Sequence, residues 1–285
     1  MKKPSPFLIK RLFKSIVPAL TMLTALALAA PAYAAQPSLL LGINEGTSGS
    51  DTYTEMQDKY KPLAHYLSVQ LKRPVTVESA RSLSSLHYNL KNKRYDLVLI
   101  RPSHIAAQAM RDDGYRLVAA AKGAAITYFI VRADSPLKKP ADLKGKKIAL
   151  PDEQAYPTHV ALAMLRDQGI QPNHVNITYF RQQEAVGYAV QQKSQDVGVV
   201  VSYSKVAKNW AAQGGRMLWQ SPALPFWSVS ASPKVDDATL NAARTALLGL
   251  SSTPDGAGIL KGIGVEGFVA SAQAPYLTLL KWVVN

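Results

Sequence analysis

The 285-residue sequence has no cysteine. That absence excludes a disulfide framework, a thiol nucleophile and the acylated residue of a lipoprotein. The sequence also lacks H-E-x-x-H, G-x-S-x-G, P-loop and dinucleotide signatures, so an enzyme has little to stand on and no cofactor is expected. Its five histidines (His65, His87, His104, His159, His174) are dispersed without metal-ligand spacing, although His104 and His159 can face each other across a closed cleft. Acids are scarce: 19 Asp and Glu stand against 33 Lys and Arg, for a formal net charge of +14. A basic chain can meet nucleic acid, anionic lipid or a small anion. The cations are scattered singly and in pairs among acids with no run of five, which makes nucleic acid the weakest of the three.

What is present begins with an export signal. Residues 1–14 carry five cations and no acid, residues 15–30 are mostly apolar, and Ala32-Tyr33-Ala34 fits the small-x-small pattern of a cleavage site. The apolar run is short for a spanning helix, which needs about 20 residues. Residues 1–34 are therefore expected to be removed, leaving a soluble chain that starts near Ala35. Loss of the five leader cations takes the net charge from +14 to +9.

From residue 38 the chain alternates strand-like and helix-like stretches. A short apolar run at 38–44 ends in a Gly-rich loop at 45–54, helical spacing follows over 58–71, a β-branched strand over 74–77, a helix over 83–90 and the fully apolar run 96–100. The order βαβαβ predicts a doubly wound sheet with ligand groups at the carboxyl ends of its strands. After a strand at 127–132, the Pro-punctuated, Lys-rich stretch 135–151 reads as the passage from one lobe to the next. The pattern then restarts: strands at 147–150, 175–180 and 196–202, helices at 158–168 and 184–192, a return strand at 226–232, and helices at 238–250 and 272–284.

The passage 135–151, with its A-D-L-K-G-K-K-I-A, resembles the crossover of periplasmic solute-binding proteins. Tyr60-Lys61-Pro62-Leu63, Tyr95-Asp96-Leu97-Val98, Gln195-Asp196-Val197-Gly198 and the segment Gly262-Ile263-Gly264-Val265-Glu266-Gly267-Phe268 resemble one branch, the phosphate, phosphite and phosphonate-binding family. The resemblance implies an α/β fold of two lobes, each a mainly parallel, doubly wound sheet flanked by helices, joined by two hinge crossings. Lobe 1 is expected over 35–126 and 228–285, and lobe 2 over 127–227 including the hinge strands. It implies a monomeric periplasmic protein that closes on a small oxyanion and delivers it to an ABC permease. A sensor kinase in the inner membrane is the alternative partner.

Two departures from the family stand at strand ends. Arg101-Pro102-Ser103-His104 replaces a Gly-Pro pair, and the turn at 152–159 lacks most of the hydroxyls with which relatives hold phosphoryl oxygens. Arg101 follows a buried strand and precedes a helix, so guanidinium and helix amides can converge on one anion; a structural carboxylate partner is the alternative. Ser103 and His104 share that helix start. On lobe 2, Tyr156, Thr158 and His159 surround the first-turn proline Pro157, where hydroxyl and imidazole are either ligand donors or ordinary caps. Arg181 and Ser202 lie at further strand ends. Thr127 and Tyr128 open the crossing strand, and Tyr53 in the first loop is a candidate lid.

Overall fold

The computed structural model describes residues 37–48 and 51–284; the expected signal and its cleavage site lie outside them. The chain opens with β1 (Leu39–Asn44), α1 (Tyr53–Leu71), β2 (Val75–Ser79), α2 (Leu83–Lys91), β3 (Leu97–Ile100), α3 (Ser103–Asp112) and β4 (Arg116–Ala121). Beyond 122–126 come β5 (Thr127–Arg132), β6 (Lys147–Leu150), α4 (Tyr156–Asp167), β7 (Asn176–Tyr179), α5 (Gln183–Gln191), β8 (Val197–Val201), α6 (Lys205–Asn209) and β9 (Gly215–Gln220). It returns through 221–227 to β10 (Ser228–Ala231), α7 (Asp237–Gly249), α8 (Gly256–Ile263), β11 (Phe268–Val269) and α9 (Ala274–Val284).

Two sheets result, in the orders β11-β4-β10-β3-β1-β2 and β7-β6-β8-β5-β9. β1 is parallel to β2 and β3, and β6 to β7 and β8. β10 runs antiparallel between β3 and β4, as β5 does between β8 and β9. Each of these antiparallel strands is the first laid down after a crossing. Entering from the hinge, it runs against strands whose carboxyl ends point back toward the cleft.

Residues Leu97–Ile100 and Val197–Val201 are buried throughout, as central strands covered on both faces must be. Gly198 permits that cover: a Cβ there would sit 2.8 Å from Val186 and 2.9 Å from Val190. The helical spacing over 58–71 captures the body of α1, but the helix starts at Tyr53, inside the stretch read as loop. Thr52 and Glu55 close a capping box there, with Glu55 N donating to Thr52 Oγ1 at 3.3 Å and Thr52 N to the Glu55 carboxylate at 2.7 Å.

The Lys-rich stretch 135–151 proves not to be the passage between lobes. It joins β5 to β6, both strands of the second sheet, so it is internal to that lobe. The crossings are the short segments 122–126 and 221–227, laid side by side by an antiparallel bridge between Ala125 and Leu224. α9 adds a third link. Its Tyr276 and Leu280 join the apolar cluster of Ile105 and Met110 on α3, while Leu279 and Val283 join that of Val160 and Met164 on α4.

Candidate functional site

Loops at the carboxyl ends of β1, β2, β6 and β7 enclose a cavity of about 360 Å³. Asn44 to Thr47, Asp51 to Tyr53 and Ser79 to Leu83 line it from one sheet, and Asp152, Arg181 and Gln182 from the other. Three helix starts meet there, those of α1, α2 and α5. Unsatisfied amides and aligned peptide dipoles make such ends favourable to anions. Arg81 and Arg181 are exposed at this cavity, and neither has an ion pair among the described residues. The Arg81 guanidinium lies 5.5 Å from the Tyr53 ring, and Gln57 donates to the Tyr53 hydroxyl at 3.0 Å. The cavity's carboxylates are largely matched. Glu45 is held by Arg101 and Lys59, Asp51 by Lys59 at 3.1 Å, and Asp152 accepts from Gln154 N at 2.8 Å.

Contacts cross the cleft beside the cavity. Gln183, at the start of α5, donates through Nε2 to Thr47 Oγ1 at 3.3 Å and through its backbone N to Thr47 O at 3.4 Å. Its Oε1 accepts from Val201 N at 2.9 Å, which ties the contact back to the central strand of lobe 2.

Of the residues expected at the site, Tyr53 and Arg181 line this cavity. Arg101 is not presented to it as a free charge. The carboxylate alternative describes its position: Nη2 lies 2.7 Å from Glu45, Nη1 donates to Ser48 Oγ at 3.3 Å, and the guanidinium lies 4.0 Å from the centre of the Trp227 ring. Pro102 is the residue before α3, not part of its first turn, and its side chain packs close to Gly46.

Several hydroxyls serve the hinge. Ser103 Oγ donates to Pro225 O at 2.9 Å and contacts Phe226 O at 3.1 Å, and Ser202 Oγ accepts from Ile126 N at 3.2 Å, whereas Thr158 Oγ1 donates to Pro151 O at 3.1 Å within lobe 2. Thr127 Oγ1 and the Tyr156 hydroxyl are buried with no hydrogen-bond partner among the described residues. Burial pushes the Tyr156 phenol well above its usual value, with Tyr203 and Tyr276 adding to it. Tyr128 packs with Phe180 against the small cluster of Val186, Val190 and Trp210.

His104 and His159 come together as expected, with ring centroids 4.6 Å apart, but beside a second cavity of about 440 Å³ that Gln154, Ser84 and His87 also line. No group of three or more His, Asp or Glu side chains among the described residues is arranged to hold a metal. Sequence reasoning passed over Arg81 and Gln183. Arg81 was findable, since it follows β2 and precedes the Ser82 cap of α2, much as Arg101 follows β3. Gln183 bore no such signal.

Residues 49–276 match the family described as ABC transporter, phosphonate, periplasmic substrate-binding protein. The chain belongs to this family. Its fold is shared with XAC2383 from Xanthomonas citri bound to ATP (TM-score 0.73, 17% identity, 87% of this chain and 97% of that one). It is shared too with PhnD1 from Prochlorococcus marinus in complex with methylphosphonate (TM-score 0.72, 14% identity, 86% and 96%). A binding protein component of an ABC phosphonate transporter from Pseudomonas aeruginosa gives a TM-score of 0.70 at 15% identity, over 87% and 85%. No curated protein sequence matches the chain. Family and fold are those of two-lobed substrate-binding proteins, not enzymes.

Proposed function

We propose that this family member is an exported periplasmic receptor that captures a phosphonate- or phosphate-like oxyanion by hinge closure and hands it to an ABC permease. One observation carries the ligand class: the interlobe cavity gathers three helix starts and the guanidiniums of Arg81 and Arg181, neither of them ion-paired among the described residues. Arg181 supplies a planar fork for two oxygens, Arg81 a second charge held against Tyr53, and the amides at the helix starts the remaining donors. Asp152 leaves one wall acidic, which suits a hydroxyl or protonated oxygen on the ligand better than a further charge. The family description supports a permease as the membrane partner, and no observation favours a sensor kinase.

Calorimetric titration with methylphosphonate, phosphite, phosphate, sulfate and ATP tests the reading, ATP being included because XAC2383 holds it. Arg181→Ala is expected to cost about 1.5–3 kcal/mol of binding, the range of a charge-assisted hydrogen bond, or roughly tenfold to a hundredfold or more in affinity. Small-angle scattering on the same samples should show compaction with ligand. Oxyanion binding undisturbed by Arg181→Ala would remove the cavity from the reading, and failure of every oxyanion to bind would remove the ligand class.

A further inference from the structure

The second cavity lies along the seam where the lobes touch. His87 of α2 and His104 of α3 come from one lobe and His159 of α4 from the other. His104 Nε2 lies 3.2 Å from Gln154 O, across the seam. A carbonyl only accepts, so Nε2 carries the proton in this contact. The second ring nitrogen, Nδ1, is buried with no partner among the described residues. A second proton on His104 would therefore sit on a buried donor with no acceptor, 4.6 Å ring to ring from another imidazole.

We propose that His87, His104 and His159 form a proton-sensitive latch, in which neutral imidazoles let the lobes close and protonated ones drive them apart. The latch deepens the closure part of the proposed function and adds regulation to it, because a receptor that opens on acidification releases its ligand there.

The surroundings of the three rings offer little to offset a positive charge. From α4 come His159 and Tyr156, the latter 6.0 Å from His104 between ring centroids. From α9 come Tyr276, whose hydroxyl is given to Phe226 O, and Lys281, which is exposed. Asp113 bears on His87 but is already ion-paired with Lys93 at 2.9 Å, and Asp112 is paired with Arg111 at 2.7 Å. The loop acids nearest Gln154 are Asp152, which caps Gln154 N, and Glu153, which faces the Arg181 side. Asn285 lies outside the described residues.

The titration follows from this arrangement. Burial, then His159 and His87, holds His104 well below the usual histidine value; burial and His87 lower His159; burial lowers His87 against the pull of Asp113. A group whose value is depressed in the closed form binds its proton more readily in the open one. Falling pH therefore favours opening, by about tenfold between about pH 7.5 and about pH 5.5 for each imidazole that must lose its proton on closing.

Because the chain has no cysteine, two spin labels can be placed cleanly. Tyr88→Cys on α2 and Tyr188→Cys on α5 are suitable, since these residues are 70% and 64% exposed and their helices start on opposite sides of the ligand cavity. Pulsed electron resonance without ligand should show a short-distance population that shrinks as pH falls over this range. In a His104→Gln/His159→Gln background, which keeps amide donors but cannot take up the protons, that shift should largely disappear. If the double variant does not fold by circular dichroism, His159→Gln alone should reduce the shift, by up to about tenfold. A distance distribution insensitive to pH, or one that opens identically in the folded variant, overturns the latch. No anion is present, so this failure is distinct from failure of the oxyanion reading.

Discussion

The guanidinium of Arg101 lies 2.7 Å from the Glu45 carboxylate and 4.0 Å from the centre of the Trp227 ring, all three side chains being buried. Glu45 accepts further from the Tyr60 hydroxyl at 2.6 Å and pairs with Lys59 at 2.9 Å. This set joins β1, α1, β3 and the second crossing beneath the interlobe cavity, where a buried ion pair bears on stability. Deleting one member leaves the other charge buried and uncompensated. Arg101→Ala and Glu45→Ala are each expected to lower the unfolding free energy by about 3–5 kcal/mol. The double variant should lose less than the sum, because the second truncation removes the stranded charge. Urea denaturation followed by circular dichroism measures all three; strict additivity would show that the pair is not coupled.

The same pair marks the boundary of what the sequence discloses. Apolar runs such as 96–100 and 196–202 announced the central strands, because burial on both faces demands unbroken hydrophobicity and little else produces it. The partner of Arg101 was not legible, since Glu45 lies in a polar loop 56 residues earlier and only the β1–β3 pairing brings the two together. β9 (Gly215–Gln220) was missed for a related reason. It is an edge strand with half-exposed residues and no fully buried position, so its period-two signal is weak. The first turn of α1 was hidden by composition, because Thr52 and Glu55 stabilise it through caps and not through apolar residues. At the cavity, Arg181 followed from the rule that ligands gather at strand carboxyl ends, whereas the cross-cleft bond of Gln183 depends on lobe geometry that no local pattern encodes.

Asp167, at the end of α4, accepts from the indole of Trp282 on α9 at 2.7 Å and pairs with Arg166 at 3.0 Å. The indole bond first, and Arg166 after it, hold this carboxyl below the usual aspartate value. A group depressed on folding contributes stability that is present above its unfolded value and is lost as pH falls through the folded one. Asp167→Asn should therefore lower the urea midpoint near about pH 7, with the difference from wild type shrinking as the solution is acidified below about pH 4. Trp282 fluorescence is a local reporter for the same titration. A difference that persists unchanged into acid would mean that the charge of Asp167 contributes nothing to holding α9 on α4.

Export is the last expectation, and residues 1–34 are where it starts. Five cations precede an apolar run too short to span a bilayer, and Ala32-Tyr33-Ala34 presents small residues where a signal peptidase needs them. Membership of a periplasmic substrate-binding family agrees with such a leader, because a receptor kept inside the cytoplasm could not meet the outward face of a permease. The sequence has no cysteine, and among the described residues no helix is long and apolar enough to cross a membrane. If 1–34 is a cleaved export signal, the protein should be released by osmotic shock, and its intact mass should correspond to a chain starting at Ala35 or within a few residues of it. Ala34→Asp, which puts a charge where a small side chain is required, should leave the precursor uncleaved and membrane-retained. Recovery of a soluble periplasmic chain that still begins at Met1 would refute both cleavage and the assignment of 1–34.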